Sequence, residues 1–181
     1  MRLFVAVDVP DVVKDAIETD VVAPLRDALP GARWTRREGR HLTLKFLGDV
    51  ADERLGGTGA ALSEAASSHV RFDAAFDVLG GFPNLRRPRV LWVGIGAGAE
   101  PLSALAADVE ANLEPLGFPR EDRPFRGHLT LARFPKPTAV RSLPGVTVPT
   151  EAFAARELVL FRSQLHPKGA RYTALDRYAL S

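Results

Sequence analysis

Two histidines of this chain sit in identical tetrapeptides. Residues 41–44 and residues 128–131 both read His-Leu-Thr-Leu. In an extended strand, residues i and i+2 share a face. His41 therefore projects with Thr43 and His128 with Thr130, while Leu42, Leu44, Leu129 and Leu131 turn toward a core. Two such strands facing each other would gather two imidazoles and two hydroxyls around one small volume. An imidazole has an ordinary pKa near ~6.5, so one can be neutral while the other is protonated near neutral pH. That pair suits cleavage of a phosphodiester: a base takes the proton of water and an acid opposite it protonates the departing ribose oxygen. The threonine hydroxyls would hold the non-bridging oxygens, and nearby arginine would offset the developing charge.

Only four histidines occur in the 181 residues. Two in one repeated tetrapeptide weigh against a purely structural reading of either. The chain has no cysteine, which removes disulfides, thiolate ligands and a thiol nucleophile. With no clear carboxylate to complete a shell, the two histidines make a poor zinc set, so neither metal nor cofactor is expected. His69 ends the polar stretch Ser67-Ser68-His69 and reads as a solvated loop residue. His166 precedes Pro167 and reads as part of a turn.

The formal net charge is only +2, yet 20 of the 24 basic residues are arginine. Arg33, Arg36, Arg37 and Arg40 precede His41. Arg120, Arg123, Arg126 and Arg133 surround His128, and Arg86, Arg87 and Arg89 fall between the two groups. The guanidinium fork fits phosphate oxygens. Clustering at low net charge suits a local phosphate site better than a long nucleic-acid track.

The elements that must position these groups follow from periodicity. Strands are expected at 2–8, 32–35, 41–47, 70–79, 89–95, 127–134, 151–162 and 170–179. Gly80-Gly81 should end the fourth of these, and the last two should join through His166-Pro167-Lys168-Gly169. Helices are expected from Pro10 toward Pro24 and Pro30, over 52–66 despite Gly56, Gly57 and Gly59, and from Pro101 to Leu116 with Gly117 as cap. The pattern is α+β with mostly antiparallel sheets, in one domain over 1–181. No apolar run is long enough to span a membrane, and the N-terminus reads as a first strand. A cytoplasmic monomer is expected.

The two motifs, His41-Leu42-Thr43-Leu44-Lys45-Phe46-Leu47-Gly48 and His128-Leu129-Thr130-Leu131-Ala132-Arg133, resemble those of the 2H phosphoesterases. The chain is similar over nearly its whole length to the RNA 2',3'-cyclic phosphodiesterases of bacteria and archaea, also called 2'-5' RNA ligases. The segments that carry the likeness include Arg2-Leu3-Phe4-Val5-Ala6, Pro88-Arg89-Val90-Leu91-Trp92-Val93-Gly94, Arg123-Pro124-Phe125 and Gly169-Ala170-Arg171-Tyr172-Thr173. The resemblance implies a bilobal fold of two pseudo-symmetric lobes, with the cleft between two antiparallel sheets. It implies metal-independent opening of a 2',3'-cyclic phosphate on an RNA end or nucleotide to a 2'-phosphate, with His41 as proton donor and His128 as acceptor. Thr43, Thr130, Arg126 and Arg133 are the implied phosphate contacts. Strict alternation would turn Arg133 to the leucine face, so its role requires a bulge or the strand's end. Phe46 and Tyr172 are candidates to stack on a base, as are Trp34 and Trp92; for Phe46 and Trp92, on apolar strand positions, the core reading is the stronger. Two alternatives stay open: 2'-5' ligation by the reverse reaction, and a non-catalytic module that binds RNA ends.

Overall fold

The computed structural model describes residues 1–136, 138–140, 143–166 and 170–181. Its elements are β1 (Arg2–Asp8), α1 (Asp11–Ile17), α2 (Ala23–Ala28), β2 (Arg33–Trp34), β3 (His41–Asp49), α3 (Leu55–Ser67), β4 (Phe72–Ala74), β5 (Phe76–Phe82), β6 (Val90–Ile95), α4 (Ala99–Leu113), β7 (His128–Arg133), β8 (Phe153–Ala155), β9 (Glu157–Gln164) and β10 (Arg171–Ala179). A π turn at Glu18–Val22 joins α1 to α2. Pro24 has no N–H to give and its ring crowds the preceding turn, so the widened turn carries the helix past it. The expected turn at Pro167, Lys168 and Gly169 lies outside the described residues.

The strands pair antiparallel in the order β10-β9-β1-β3-β7-β6-β5, with β2 also on β7. A single registered pair, Leu42 with Leu129, links β3 to β7. The eight strands therefore make one antiparallel sheet whose two halves, β10-β9-β1-β3 and β7-β6-β5 with β2, join at one rung, and β4 with β8 makes a second, two-stranded sheet. The helices cover one face. Leu3, Val5 and Val7 of β1 point into that core with Leu42, Leu44, Leu129 and Leu131. Burial of a leucine of this kind stabilises by about 1.5–3 kcal/mol. Leu102, Leu105, Val109 and Leu113 form the buried stripe of α4, and Gly117, at φ 81°, closes the short turn after it. The opposite face of β1 carries Phe4 and Ala6, which pack with Val159 and Phe161.

Two expected strands are each divided. The segment 70–79 becomes β4 and β5, and 151–162 becomes β8 and β9. β4 and β8 pair only with each other, from Phe72–Ala155 to Ala74–Phe153. Ala75 falls between β4 and β5: its N–H donates to Ala97 and its carbonyl accepts from Gly96. The glycine pair does not end the strand. β5 runs through Gly80 and Gly81 to Phe82, because Gly80 lies opposite Trp92, whose ring occupies the space of a Cβ.

Candidate active site

The repeated motif repeats in structure, with one deviation from alternation. In β3, Ala6 pairs with Thr43 and Val5 with Lys45, which leaves Leu44 as an extra residue. In β7, Trp92 pairs with Thr130 and Leu91 with Ala132, which leaves Leu131 as the extra residue. Each is a β-bulge, and a bulge reverses the side-chain parity beyond it. The second residue past the extra one thus rejoins the face of the histidine and threonine. In the first motif that residue is Phe46, which is 60% exposed. In the second it is Arg133. The bulge that Arg133 required is present, and the core reading of Phe46 is overturned by the same device.

His41, Thr43, Phe46, Arg126, His128, Thr130, Arg133 and Tyr172 all line one cleft of about 940 Å³. His41 is 9% exposed. Its ring stacks on Phe4 at 4.6 Å and on Phe161 at 5.3 Å, with the edge of Tyr172 at 5.3 Å. Burial in this aromatic nest pushes its pKa down to about 4, against a smaller upward pull from Asp8, its cross-strand neighbour. Its Nδ1 is buried with no hydrogen-bond partner among the described residues, so Nε2 is the nitrogen that reaches the cleft.

His128 has an analogous backing. Phe82 meets it edge-on at 5.1 Å, and Trp92 lies 6.0 Å away behind it. Burial lowers its pKa, partly opposed by a hydrogen bond from Nδ1 to the Arg126 carbonyl, 2.7 Å long. A carbonyl only accepts, so Nδ1 holds the proton and the neutral ring presents the Nε2 lone pair to the cleft. Trp92 itself is 5% exposed and supports the ring, in keeping with the core reading.

The arginines divide sharply. Arg120, Arg123, Arg126 and Arg133, the group around His128, all line the cleft, and Arg2 joins them. The group before His41 does something else. Arg40 is 1% exposed and is bonded to Glu18 and to the Lys14 carbonyl. Arg37 pairs with Asp15 and Asp11. These two tie the first helical segment to the residues before β3, outside the cleft. Arg33, Arg36, Arg86, Arg87 and Arg89 do not line the cleft. Trp34 is half-buried against the main core, outside the cleft. His69 is no solvated loop residue: its Nε2 lies 2.7 Å from Asp108 of α4. Sequence reasoning misses Arg2, Phe4 and Phe82 as site residues. Phe4 and Arg2 share a strand face, but only the register against β3 shows which one. Phe82 is hidden when the strand is ended at Gly80. Among the described residues no group of three or more His, Cys, Asp or Glu side chains is placed to hold a metal ion, and no helix is long and apolar enough to cross a membrane.

Two His-x-Thr strands facing across one arginine-lined cleft are the arrangement of a two-histidine phosphoesterase. The chain belongs to the 2'-5' RNA ligase superfamily, whose family model matches residues 13–167. It is 35% identical to the RNA 2',3'-cyclic phosphodiesterase of Archaeoglobus fulgidus, over 97% of this chain and 98% of that one. It is 37% identical to the protein of the same description from Thermus thermophilus, over 99% and 90%. Among solved structures, a protein of Thermus thermophilus superposes with a TM-score of 0.83 at 32% identity, covering 99% of this chain and 98% of that one. LigT of E. coli in complex with NADP+ superposes at 0.80 and 28% identity, covering 99% and 97%.

Proposed function

We propose that the protein opens 2',3'-cyclic phosphate ends of RNA to 2'-phosphate ends, with His128 as the base that activates water and His41 as the acid that protonates the departing 3' oxygen. The observation that carries this reading is the convergence of His41, Thr43, His128 and Thr130 on one cleft. His128 suits the base because its Nδ1 proton is held by the Arg126 carbonyl. His41, neutral in the free protein, takes up a proton as an anionic phosphate enters beside it; the nearby anion favours the charged ring. Thr43 and Thr130 hold the non-bridging oxygens, Arg126 and Arg133 neutralise their charge, and Phe46 with Tyr172 offers the base a stacking face. The curated relatives named above are described as RNA 2',3'-cyclic phosphodiesterases, which supports the substrate class. LigT was solved with NADP+ and with 3'-AMP, ligands that carry a phosphate on the 2' and on the 3' oxygen of a ribose respectively. The test is product analysis on a 2',3'-cyclic nucleotide: phosphate left exclusively on the 3' oxygen would reverse acid and leaving group. The family's description also favours a second reading, 2'-5' ligation by the same residues with the 5'-hydroxyl of a second RNA end attacking phosphorus in place of water while the 3' oxygen departs. Joined product from a cyclic-phosphate end and a 5'-hydroxyl end distinguishes it.

The pH dependence has a definite sign. kcat/KM follows the groups of the free enzyme. Burial lowers the pKa of both His41 and His128, so the state with acid protonated and base neutral is most populated below the ordinary imidazole value of ~6.5. kcat/KM for 2',3'-cyclic CMP therefore peaks on the acid side of that value and declines above it. The kcat profile lies further toward alkaline pH, because bound phosphate retains the proton on His41. A kcat/KM plateau extending well above neutrality would contradict the burial argument.

The division of the arginines gives a paired test. Arg133→Gln removes a charged contact worth about 1.5–3 kcal/mol and raises KM roughly tenfold or more. Arg37→Gln, which cuts exposed contacts to Asp11 and Asp15 of α1 away from the cleft, leaves KM unchanged. Steady-state kinetics on the two variants checks both.

A further inference from the structure

Lys45 is a buried ammonium inside the first motif, and the proposed chemistry does not use it. Its side chain is 1% exposed. Nζ donates to Glu110 Oε1 on α4 at 2.6 Å and to the Pro119 carbonyl at 2.7 Å. The other oxygen of Glu110 accepts from the Glu121 N–H at 3.1 Å. One ion pair thus fixes two points of the segment 118–127, which lines the cleft with Arg120, Arg123 and Arg126.

The second motif shows that the fold does not require a charge at this step. The bulge that places Lys45 on the core face of β3 places Ala132 on the core face of β7, and Ala132 is fully buried. The four residues before each are identical. A buried ion pair is at best a modest source of stability, since desolvation opposes the attraction. The strand that holds the pair also faces a loop with few apolar anchors: of the loop's side chains only Phe118 is buried, while Arg120, Glu121, Asp122, Arg123, Pro124 and Arg126 are exposed. The end of the segment nearest His128 has its own tether, from the Ile95 N–H to the Gly127 carbonyl at 3.0 Å. The far part of the segment is held by the buried Lys45 pair together with the exposed Arg120–Glu114 pair, 2.8 Å long, of which only the first is shielded from water and salt.

We propose that Lys45 and Glu110 are positioning residues that hold Arg120 and Arg123 against the backbone phosphates upstream of a cyclic-phosphate RNA end, so that the cleft favours an oligonucleotide end over a mononucleotide. This rests on the reading of the cleft as a cyclic-phosphate site. The comparison uses 2',3'-cyclic CMP and a short oligoribonucleotide ending in a 2',3'-cyclic phosphate. In Lys45→Met/Glu110→Leu the apolar pair keeps or raises the melting temperature. KM for the oligonucleotide rises about tenfold as charged contacts to phosphate are lost. The slope of log(kcat/KM) against log[salt] shrinks by about 0.7 for each single-strand phosphate contact released. KM for cyclic CMP changes far less. Arg120→Gln/Arg123→Gln gives the same pattern, and combining all four substitutions adds nothing further, as expected of groups acting through one another. A folded Lys45→Met/Glu110→Leu protein with wild-type KM and salt slope on the oligonucleotide overturns the proposal. Equal losses on both substrates do so too, since that is a structural role only. If that variant fails to fold, wild-type behaviour of Arg120→Gln/Arg123→Gln overturns it independently. A wild-type protein that turns over neither substrate removes the underlying reading, and the inference with it.

Discussion

His128→Ala lowers kcat on a 2',3'-cyclic nucleotide by about 10²–10⁴-fold, the usual contribution of a positioned general acid or base. His41→Ala does the same, and the double variant falls little further than either single one, because the two act in one proton-transfer cycle. The reason lies in how each ring is held. His128 has its tautomer fixed by the Arg126 carbonyl, and His41 has its plane fixed between Phe4, Phe161 and Tyr172. Neither ring is tied into the main apolar core, so both variants remain folded; the loss of a ring contact costs about 0.5–1.5 kcal/mol. Initial rates together with a thermal melt check this. Turnover near wild type in both single variants would sink the acid/base assignment.

Gly80→Ala is the largest expected effect away from the histidines. A Cβ there would lie 2.2 Å from the Trp92 ring, closer than non-bonded atoms approach. The ring has little room to retreat. Phe82 packs on one side at 5.0 Å, and Gly94, where a Cβ would also meet the ring at 2.9 Å, is the other contact. Overpacking of this kind destabilises by about 1–3 kcal/mol. Because Trp92 and Phe82 back His128, kcat falls as well, with the acid limb of the pH profile displaced. Gly56→Ala serves as the control: nothing lies within 4 Å of that Cβ, and in a helix the change stabilises by about 0.5–1 kcal/mol. Denaturation and kinetics on the two variants read both effects; a Gly80→Ala protein as stable and active as wild type would refute the account of the Trp92 pocket.

Much of the site was legible in the sequence because its signal is local. A four-residue string fixes its own alternation, and both copies place His and Thr on one face as alternation demands. Leu102, Leu105, Val109 and Leu113 likewise announce the buried face of α4 by spacing alone. What stayed hidden depends on partners distant in the chain. The bulges at Leu44 and Leu131 appear only when β1 and β6 supply the register, so Phe46 looks like a core residue in sequence. Gly80 reads as a strand breaker until Trp92 is laid across it. The arginines before His41 resemble a phosphate cluster in one dimension. In three dimensions Asp11, Asp15 and Glu18 of the first helical segment claim Arg37 and Arg40. The division of 70–79 and 151–162 follows from the small β4–β8 pair, which no local pattern encodes.

The bulge in each motif has a consequence for how a repeated scaffold reads an unsymmetric molecule. A phosphate group presents much the same face to either side, and in the proposed complex the histidine and threonine of the two motifs would meet it alike. A nucleotide does not: one flank of the phosphate is a nucleoside and the other is open anion. The bulge delivers one further side chain to the cleft from each strand, and there the copies diverge, phenylalanine from one and arginine from the other. On the proposed reading, direction along a bound nucleic acid would be written at a single position per motif. Exchanging Phe46 and Arg133 would leave the reacting groups in place while turning the preferred polarity of the ligand around.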